Sequence, residues 1–589
     1  MQKHVLGEWD LTELVRDPRG PAFERQEGDV LARAKKFQRH RKSLDPSMER
    51  KKFRDILDEL ESIHEKTSIV HGYASLDYSA DTQSDKATAL LSRAGKMGAD
   101  VANSLVFFDL WWKKTIDDKN ARRLIKESGD LANLLSHKRL VARYSLTEPE
   151  ERIINTLDVT GASALVKLYD KITNAFLYEV RVRGKKKTMG REELVTLVRG
   201  TDAAARESAY RSLLGKYESN RGVLGEIYQN IVLNWRDEGV DIRGYDSPIS
   251  MRNTANDIDD ATISSLLKVC KGNARVFRDF FSLKAKMLGM KKMRRYDLYA
   301  PAAKDGEKNY TYDKSVKLVL ESLERFSPVL SEYASRVFES RHVDSSVRKG
   351  KRGGAFCSTI SPGITPYVML SFDGKSKDVF TLAHELGHAV HSISASKRSI
   401  LVQEAPLPLA ETASTFSELL LYDNLSDSMP DDEKRSMLVE KVDDLYASIM
   451  RQSFFTIFEM EAHKLIAGSA TVDELSGAYL GGLRGQFGSS VDVSDDFAIE
   501  WSCIPHFHHA PFYCYAYSFG NLLALSLFRR FKKEGDDFVP SYLAILSSGG
   551  SQKPEKLLAE HGIDISSEKF WQDGFDQIRE QVRSLAKLR

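Results

Sequence analysis

Apolar residues recur at helical spacing along most of the chain, and this periodicity limits the fold more than any other feature of the sequence. Within 46–73, for example, the recurring apolar positions are Phe53, Ile56, Leu57, Leu60 and Ile63. Such positions share one face of a helix, which must pack against another element. The pattern fills most of residues 1–180, returns from about 200 to 340, and returns again after Gly374. Because there is no internal repeat to indicate a solenoid, the sequence predicts a large, mainly α protein.

Two short segments break the helical pattern and predict β-structure. The first, FLYEVRVRGKKKT, alternates apolar and polar residues around Gly184, which is typical of a β-hairpin, and a helix is expected to follow at Arg191. The second, AFCSTISPGITPYVMLSFDG, has β-branched and aromatic residues in two runs split by Gly363 and Pro366. We therefore expect a hairpin near residue 184 and a small sheet shortly before the helix that begins after Gly374.

Composition excludes several classes of protein. The 589 residues include 86 Lys+Arg against 84 Asp+Glu, so there is no electrostatic case for nucleic acid or an anionic membrane as partner. The four cysteines form no C-x-x-C pair, which argues against a disulfide scaffold and against a cysteine-based zinc module. The charged N-terminal segment lacks the apolar core of a secretory signal. We expect a cytoplasmic protein.

One uncharged stretch, 501–528, contains no Asp, Glu, Lys or Arg and is longer than the roughly 20 residues that span a bilayer. Its three histidines, two prolines and several serines and tyrosines are too polar for hydrocarbon without partners. We interpret the stretch as the wall of an enclosed polar site in a chain that does not cross a membrane.

The strongest functional signal is an H-E-x-x-H motif, formed by His384, Glu385, Leu386, Gly387 and His388. Four residues make just over one helical turn, so both imidazoles project from one face and can share a metal ion, with the glutamate beside them as general base. The apolar residues on the other side of this predicted helix are Val379, Leu382, Ala383, Leu386, Ala389, Val390 and Ile393. Two buried, hydrogen-bonded histidines are the less favoured alternative, because they leave the glutamate unexplained.

A hydrolytic zinc site usually takes three protein ligands, and the third has four candidates: His391, Glu404, Glu411 and Glu418. His391 lies almost two turns from His384, too far to close a compact tetrahedron. Glu404 lies in the proline-containing segment EAPLPLAE and stays open. Glu411 is favoured because it opens a second predicted helix that would pack against the first. Glu418 is either a group that orients an imidazole from behind or an ordinary solvated glutamate.

A further polar cluster lies in IPHFHHAPFYCYAYSFG and consists of His506, His508, His509, Tyr513, Tyr515 and Tyr517. Pro511 suits the first turn of a helix, which would place Tyr513 and Tyr517 on one face. Imidazole and phenol donors stabilise the negative charge that builds on a carbonyl oxygen during amide hydrolysis. An aromatic stripe packed in a core is the alternative interpretation.

Taken together, these motifs resemble the M3 family of zinc metallopeptidases, of the oligoendopeptidase F type. The resemblance rests on HELGH, ETASTFSE and HFHHAPFYCYAY in that order, with WDLTELV near the N-terminus and SSGGSQKP late in the chain. It runs over essentially the whole chain. It implies one Zn²⁺ per chain, held by His384, His388 and Glu411, with Glu385 as the general base.

The resemblance also implies that late His and Tyr residues bind the transition state, and these correspond to His506, Tyr513 and Tyr517, with Tyr515 as a rival. For the architecture it implies a zincin-like fold of two helical lobes around a deep channel, with a small sheet next to the zinc helix. The corresponding domains are an N-terminal helical region, an oligoendopeptidase F-type N-terminal helical domain and an M3-type catalytic domain, at 1–110, 111–185 and 200–585.

We therefore predict a cytoplasmic zinc endopeptidase that hydrolyses internal bonds of short oligopeptides and has no nucleic-acid or membrane partner; its oligomeric state is left open. The predicted strand pair within 358–372 could bind the peptide as an extra strand. One alternative is a carboxypeptidase or dipeptidyl carboxypeptidase on the same scaffold, which would need a basic group for the terminal carboxylate of the substrate. Another is a non-catalytic zinc-containing peptide-binding protein, which would not need Glu385.

Overall fold

The computed structural model describes residues 3–16, 21–301, 310–426 and 429–588. Helices dominate these ranges, as the apolar periodicity predicted, and the strands are few and short. In the described part of the chain, no helix combines the length and the apolar character needed to cross a bilayer.

Packing divides the chain into two compact units, and each unit is assembled from three separate stretches of sequence. Unit 1 is formed by the described residues within 1–143, 307–428 and 530–563. Unit 2 is formed by those within 144–306, 429–529 and 564–589. In each unit, stretches that are far apart in sequence therefore pack together.

Unit 1 contains the helices Ala22–Phe37, Arg50–Ala80, Asp85–Leu110, Asp118–Ile125, Ala132–Val141, Tyr312–Phe326, Pro328–Glu339, Ser376–Ser394, Leu407–Ala410, Thr412–Ser426, Val539–Ser548 and Pro554–Glu560. Short 3₁₀ or π turns extend or join them at Gln38–Lys42, Trp111–Thr115, Gly129–Leu131, Ala142–Tyr144 and Gly535–Phe538. Aromatic packing ties the first helices together. The Phe53 and Trp112 rings stack with centroids 5.2 Å apart, and Trp112 Nε1 donates to the Leu135 carbonyl over 2.9 Å.

A three-stranded sheet in unit 1 is built from Val343–Asp344, Tyr367–Met369 and Phe356–Ser358. Tyr367–Met369 lies in the middle, parallel to the first strand and antiparallel to the last. This central strand is fully buried, and the sheet packs against Ser376–Ser394, the helix that carries the H-E-x-x-H motif. The prediction of a mainly α fold with a small sheet beside that helix is confirmed.

A close contact fixes the sheet on the long helix Arg50–Ala80. A Cβ atom at Gly72 would lie 2.5 Å from Ile360 Cδ1, so glycine leaves room there for a side chain of the segment that links two of the strands. One turn away, Ser68 Oγ donates to the Ile360 carbonyl over 2.6 Å. The N-terminal helices of unit 1 therefore support the sheet from one side.

Unit 2 contains the helices Glu148–Asp158, Ala162–Asn174, Arg191–Val198, Ala203–Glu218, Arg221–Arg236, Pro248–Ala255, Asp260–Gly272, Ala274–Met287, Asp431–Leu445, Arg451–Ala467, Val472–Phe487, Pro505–His509 and Glu568–Lys587. The helix Tyr515–Glu534 belongs to unit 2 as far as Arg529. Short 3₁₀ or π turns lie at Asp237–Ile242, Arg295–Asp297, Tyr446–Met450 and Asp495–Cys503.

The hairpin predicted around Gly184 is confirmed in unit 2. Tyr178–Val182 pairs antiparallel with Lys185–Met189. Arg183 and Gly184 both have positive φ, 49° and 76°, as the central residues of a type I′ turn require. The expected helix follows at Arg191. A second, unpredicted pair of two-residue strands joins Met293–Arg294 to Val491–Asp492 in parallel.

Candidate metal centre and its surroundings

The helix Ser376–Ser394, here called the motif helix, presents His384 and His388 on its one open face. Asp378 Oδ2 accepts the backbone N–H groups of Asp373 and Lys375, over 2.9 and 3.0 Å, and so fixes the start of the helix. The seven apolar positions predicted to face the core are all buried. The two imidazoles keep 28% and 26% of their side-chain surface exposed.

The helix Thr412–Ser426, here called the glutamate helix, packs directly on the motif helix. Gly387 makes this possible, because a Cβ atom there would lie 2.6 Å from both the Ala413 carbonyl oxygen and Ser414 Cα. The close approach brings Glu411, which immediately precedes the glutamate helix, beside the two histidines.

The three candidate ligand atoms singled out by the sequence lie close together. The Nε2 atoms of His384 and His388 lie 3.2 Å apart, and Glu411 Oε2 lies 3.4 and 3.6 Å from them. One ligand atom from each residue falls within 4.8 Å of the others. A tetrahedral ion with Zn–N bonds of about 2.0–2.1 Å separates two ligand nitrogens by about 3.3 Å. The spacing of these atoms therefore fits one small divalent cation.

Two further side chains hold the candidate ligands in place. His384 donates from Nδ1 to Glu418 Oε1 over 2.5 Å, which turns Nε2 towards the other ligands. Ser414 Oγ donates to Glu411 Oε2 over 2.8 Å. The sequence analysis singled out Glu418 and missed Ser414. Ser414 lies three residues after Glu411, in the first turn of the glutamate helix, and this spacing is the signal that could have identified it.

The charges around the two histidines give them opposite pKa shifts. Burial lowers the pKa of His384, but its hydrogen bond to Glu418 and the charges of Glu418, Glu411 and Glu385 outweigh this effect and raise the pKa to about 9. Burial and the neighbouring His384 lower the pKa of His388 to about 4. At neutral pH and without a cation, His384 is therefore protonated and His388 is neutral, so the pair carries one positive charge.

Glu385 is the acid of the motif and is only 6% exposed. Burial raises its pKa to about 7, with His384 lowering it and the Glu411 and Glu418 carboxylates raising it further. A carboxyl group with this pKa can both accept and donate a proton near neutral pH.

A cavity of about 400 Å³ opens at these residues. It is lined by His384, Glu385, His388 and Glu411, and on another side by Phe356 and Cys357 of the edge strand. The two rejected or open ligand candidates, His391 and Glu404, also line the cavity. Neither belongs to the converging group of three, and burial raises the pKa of Glu404.

Comparison with known proteins shows the family of the chain. The family model of peptidase family M3 matches residues 196–577, well over half of the chain. The chain belongs to peptidase family M3. The resemblance found in the sequence is confirmed, and the chain is a peptidase with a candidate His-His-Glu metal site.

Individual relatives of this M3 chain cover nearly its whole length. An oligoendopeptidase F homolog of Borreliella burgdorferi is 25% identical and covers 91% of this chain and 91% of its own length. A crystal structure of a Chlamydophila abortus protein has a TM-score of 0.87 at 23% identity, covering 99% of this chain and 98% of its own. The crystal structure of oligoendopeptidase F from Enterococcus faecium has a TM-score of 0.72 at 20% identity, covering 96% and 98%. The two crystal structures show the fold.

The His and Tyr cluster of the M3 chain lies in unit 2 and separates into two groups. His506, Tyr513 and Tyr517 come together: His506 Nε2 lies 3.4 Å from the Tyr517 hydroxyl, and the two tyrosine rings meet edge to face with centroids 5.4 Å apart. The His506 and Tyr513 rings are nearly parallel, with centroids 6.0 Å apart.

The other three members of the cluster contact other residues of unit 2. His508 is buried and stacks on Tyr169 with ring centroids 3.7 Å apart. His509 Nε2 lies 2.8 Å from an oxygen of Asp170. Tyr515 is buried and its hydroxyl accepts a hydrogen bond from the side-chain amide of Asn256 over 2.7 Å.

The prediction that a helix begins at Pro511 is wrong. Pro505 occupies the first turn of the short helix Pro505–His509, and the next helix starts only at Tyr515. Between them, Phe512 has φ +57°, a left-handed conformation that a helix start does not allow. Two hydrogen bonds with residues remote in sequence cause this local path. They hold the carbonyl and the N–H of the peptide group between Pro511 and Phe512.

The sequence analysis did not single out the two residues that hold this peptide group, Arg252 and Glu459. Arg252 Nε donates to the Pro511 carbonyl over 3.1 Å, and the Phe512 N–H donates to Glu459 Oε1 over 2.9 Å. Glu459 is 1% exposed, and burial raises its pKa to about 8. A buried acid so far along the chain has no local signal that connects it with the loop carrying Tyr513.

Proposed function

We propose that this M3 peptidase is a zinc-dependent endopeptidase that hydrolyses internal bonds of short oligopeptides. The observation that carries the proposal is the convergence of His384 Nε2, His388 Nε2 and Glu411 Oε2 beside the buried carboxyl of Glu385. The names of relatives agree with it, since they include an oligoendopeptidase F homolog and an oligoendopeptidase F.

Zinc suits the residues present. Two imidazoles and one carboxylate are a usual ligand set for catalytic zinc, which leaves one position open. His384 Nδ1 donates to Glu418, and a zinc-binding imidazole normally has such a carboxylate acceptor for its second nitrogen. When bound, zinc would supply Lewis acidity and lower the pKa of water at the site.

The protein's own groups then move the protons. Glu385 accepts a proton from the attacking water and delivers it to the leaving amine, so that the peptide bond breaks without releasing an unstable amide anion. Its pKa of about 7 suits both steps; a bound cation would lower this pKa and favour the base form. We also propose His506, Tyr513 and Tyr517 as donors to the oxyanion.

The edge strand Phe356–Ser358 suits a peptide substrate. It pairs on one side with Tyr367–Met369, has no strand partner on its other side among the described residues, and lines the cavity at the histidines. A peptide added along this edge would be recognised through its main chain. Broad tolerance of side chains should follow.

The cavity favours an endopeptidase over a carboxypeptidase. None of its described lining residues is Lys or Arg, so this wall offers no cation for a substrate's terminal carboxylate. The proposal is tested with one peptide prepared in two forms, with free ends and with both ends blocked. We expect cleavage of both at the same internal bond; failure to cleave the blocked form would establish the exopeptidase alternative.

Replacing the general base tests the mechanism. We expect Glu385→Gln to lower kcat by about 10²- to 10⁴-fold, because the amide cannot take the proton, while zinc content measured by atomic absorption stays at one ion per chain. Glu404→Gln, which changes another acid lining the same cavity, is the matched control and should retain turnover. Full turnover by Glu385→Gln with zinc bound would show that the mechanism is wrong.

Three architectural and cellular assignments complete the proposal. The catalytic domain is proposed at 200–585, preceded by helical regions at 1–110 and 111–185. The deep channel that the family resemblance implies stays a prediction, as does a cytoplasmic location without nucleic-acid or membrane partners.

A further inference from the structure

A second cavity, of about 370 Å³, lies within unit 2 and plays no part in the proposed peptidase mechanism. Its lining includes the polar side chains of Arg295, Arg451 and Gln486. Aromatic rings form much of the remaining wall, among them those of Tyr446 and Tyr479. The cavity thus combines cationic groups with apolar surface.

Three nitrogen atoms on the residues lining this cavity have no hydrogen-bond partner among the described residues. They are Nε of Arg295, Nε of Arg451 and Nε2 of Gln486, and all three are buried. Each is an N–H donor, and a buried donor without an acceptor destabilises the fold. The wall of the cavity is therefore short of acceptor atoms.

The charges of the cavity also call for an anion. The Arg295 side chain is 3% exposed and donates from Nη2 to Glu500 Oε1 over 2.6 Å. Glu500 also accepts the Tyr479 hydroxyl over 3.0 Å. Among the described residues, Arg451 donates from Nη1 to one neutral group, the Tyr299 hydroxyl, over 3.2 Å. Two guanidinium groups therefore share one carboxylate, which leaves one positive charge without a counter-charge.

The groups at the rim do not reverse this balance. Lys271, Arg278 and Glu461 also line the cavity, two cations against one anion. Arg278 already donates to the backbone carbonyl of Gln486 over 3.0 Å, so it stabilises a helix end. The field at the entrance attracts anions as well.

We propose that this cavity binds a small organic carboxylate whose apolar body lies against the aromatic wall. The planar edge of a guanidinium matches a carboxylate with two parallel hydrogen bonds. Arg451 already lies over an aromatic ring, with its guanidinium carbon 5.0 Å from the centroid of the Phe455 ring. The volume of the cavity exceeds the needs of a chloride or phosphate ion, and its aromatic surface would gain nothing from either.

The test is calorimetric titration of the full-length, zinc-loaded protein with benzoate, benzamide and inorganic phosphate. Benzoate and benzamide share the ring and differ in charge, whereas phosphate has the charge without an apolar body. We expect saturable binding of one benzoate per chain, with benzamide and phosphate each at least about tenfold weaker. Equal binding of benzamide, or binding of phosphate as tight as that of benzoate, would overturn the proposal, as would the absence of saturable benzoate binding, the result expected if the cavity holds only water.

Variants assign the binding to this cavity. Gln486→Glu adds a carboxylate of the same size at the site and should weaken benzoate binding at least about tenfold by repulsion. Arg451→Gln removes the guanidinium without a paired carboxylate and should have a similar effect. Arg484→Gln is the matched control, because Arg484 lies on the same helix as Gln486 and pairs with Asp495 at the surface.

Circular dichroism and the thermal midpoint establish that each variant is folded. If Arg451→Gln does not fold, Gln486→Glu alone decides the question. Unchanged benzoate affinity in a folded Gln486→Glu variant would place the ligand elsewhere, for example on the zinc ion, and would overturn the proposal. The outcome does not depend on peptidase activity.

Discussion

Among single residues, Glu418 offers the sharpest test of the metal centre, because it contacts His384 and is not itself a ligand. Removing the carboxylate by Glu418→Ala frees the imidazole to rotate, so we expect zinc affinity to fall by about 10- to 100-fold. Competition with a fluorescent chelator measures this change.

The same helix supplies a control for that variant. Asp423→Ala also removes an acid from the glutamate helix, but Asp423 pairs with Lys532 at the surface. We expect its zinc affinity to equal that of the parent protein. If both variants bind zinc as tightly as the parent, Glu418 does not orient the ligand.

Protons and the cation compete for the same histidine. His384 has a pKa raised to about 9, so below that pH the metal-free protein carries a proton that zinc must displace. Zinc affinity should therefore rise about tenfold per pH unit from about pH 7 to 9 and level off above. Titrations in buffers of different ionisation enthalpy should show about one proton released near pH 7. A flat pH profile would contradict the assigned charge state.

At this scale the sequence singled out the candidate ligands that the structure brings together, and it missed Ser414 and Glu459 around them. The helical spacing of His384 and His388 is a local property, so their shared face could be derived without a fold. Ser414 contacts Glu411 three residues away, a local spacing that is common among helix residues, whereas Glu459 acts through a contact that only tertiary packing creates. A single sequence does not encode such contacts as a local pattern.

For the helices, the decisive feature is the close approach at Gly387. Gly387→Ala would push a methyl group into the Ala413 carbonyl and Ser414 Cα. We expect the two helices to separate, with a loss of about 1–3 kcal/mol in the free energy of unfolding. We also expect weaker zinc binding, because Glu411 would move away from the histidines. Urea denaturation and chelator competition measure the two effects.

Gly215→Ala provides the opposite case. Gly215 lies within the helix Ala203–Glu218, and a Cβ atom there would meet nothing within 4 Å. This substitution should raise the stability by about 0.5–1 kcal/mol, since alanine favours a helix over glycine. Equal effects of the two substitutions would show that helix propensity, and not the contact between the helices, governs Gly387.

Elements with strong local signals were predicted well, and elements whose path depends on contacts with residues remote in sequence were not. The hairpin at Gly184 has a turn residue suited to positive φ, and the structure contains it. The proline at 511 carries a helix-start signal too, yet Arg252 and Glu459 hold its peptide group in a different path. Tertiary hydrogen bonds outweighed local preference there.

For the whole molecule, the division into two units predicts how the protein opens. The stretches of unit 1, within 1–143, 307–428 and 530–563, share a core and should lose hydrogen-exchange protection together at a moderate urea concentration. The proposed zinc ion would bind the folded form of unit 1, so it should slow exchange in all three stretches. Exchange followed by mass spectrometry tests this, with peptides of unit 2 as the internal control. A response confined to the residues around His384 would contradict a shared core.

The helical nature of the molecule was predictable and the family resemblance implied two lobes, but the stretches of sequence that make up each unit were not predictable. Periodicity shows that each helix has an apolar face, but it does not show which helix covers that face. The ranges predicted by sequence order follow the chain continuously, whereas each compact unit draws on three separate stretches. Partner choice depends on the complementarity of surfaces that are remote in sequence.

The discontinuous build of unit 1 has a consequence for synthesis on the ribosome. Its first stretch ends at residue 143, and its second begins only at 307. At about 5–20 residues per second, the growing polypeptide needs roughly 10–30 s to make the intervening stretch. Throughout that interval the early helices lack the segments that complete their core. A chaperone that shields nascent apolar surface would thus be needed most while residues 144–306 emerge from the exit tunnel.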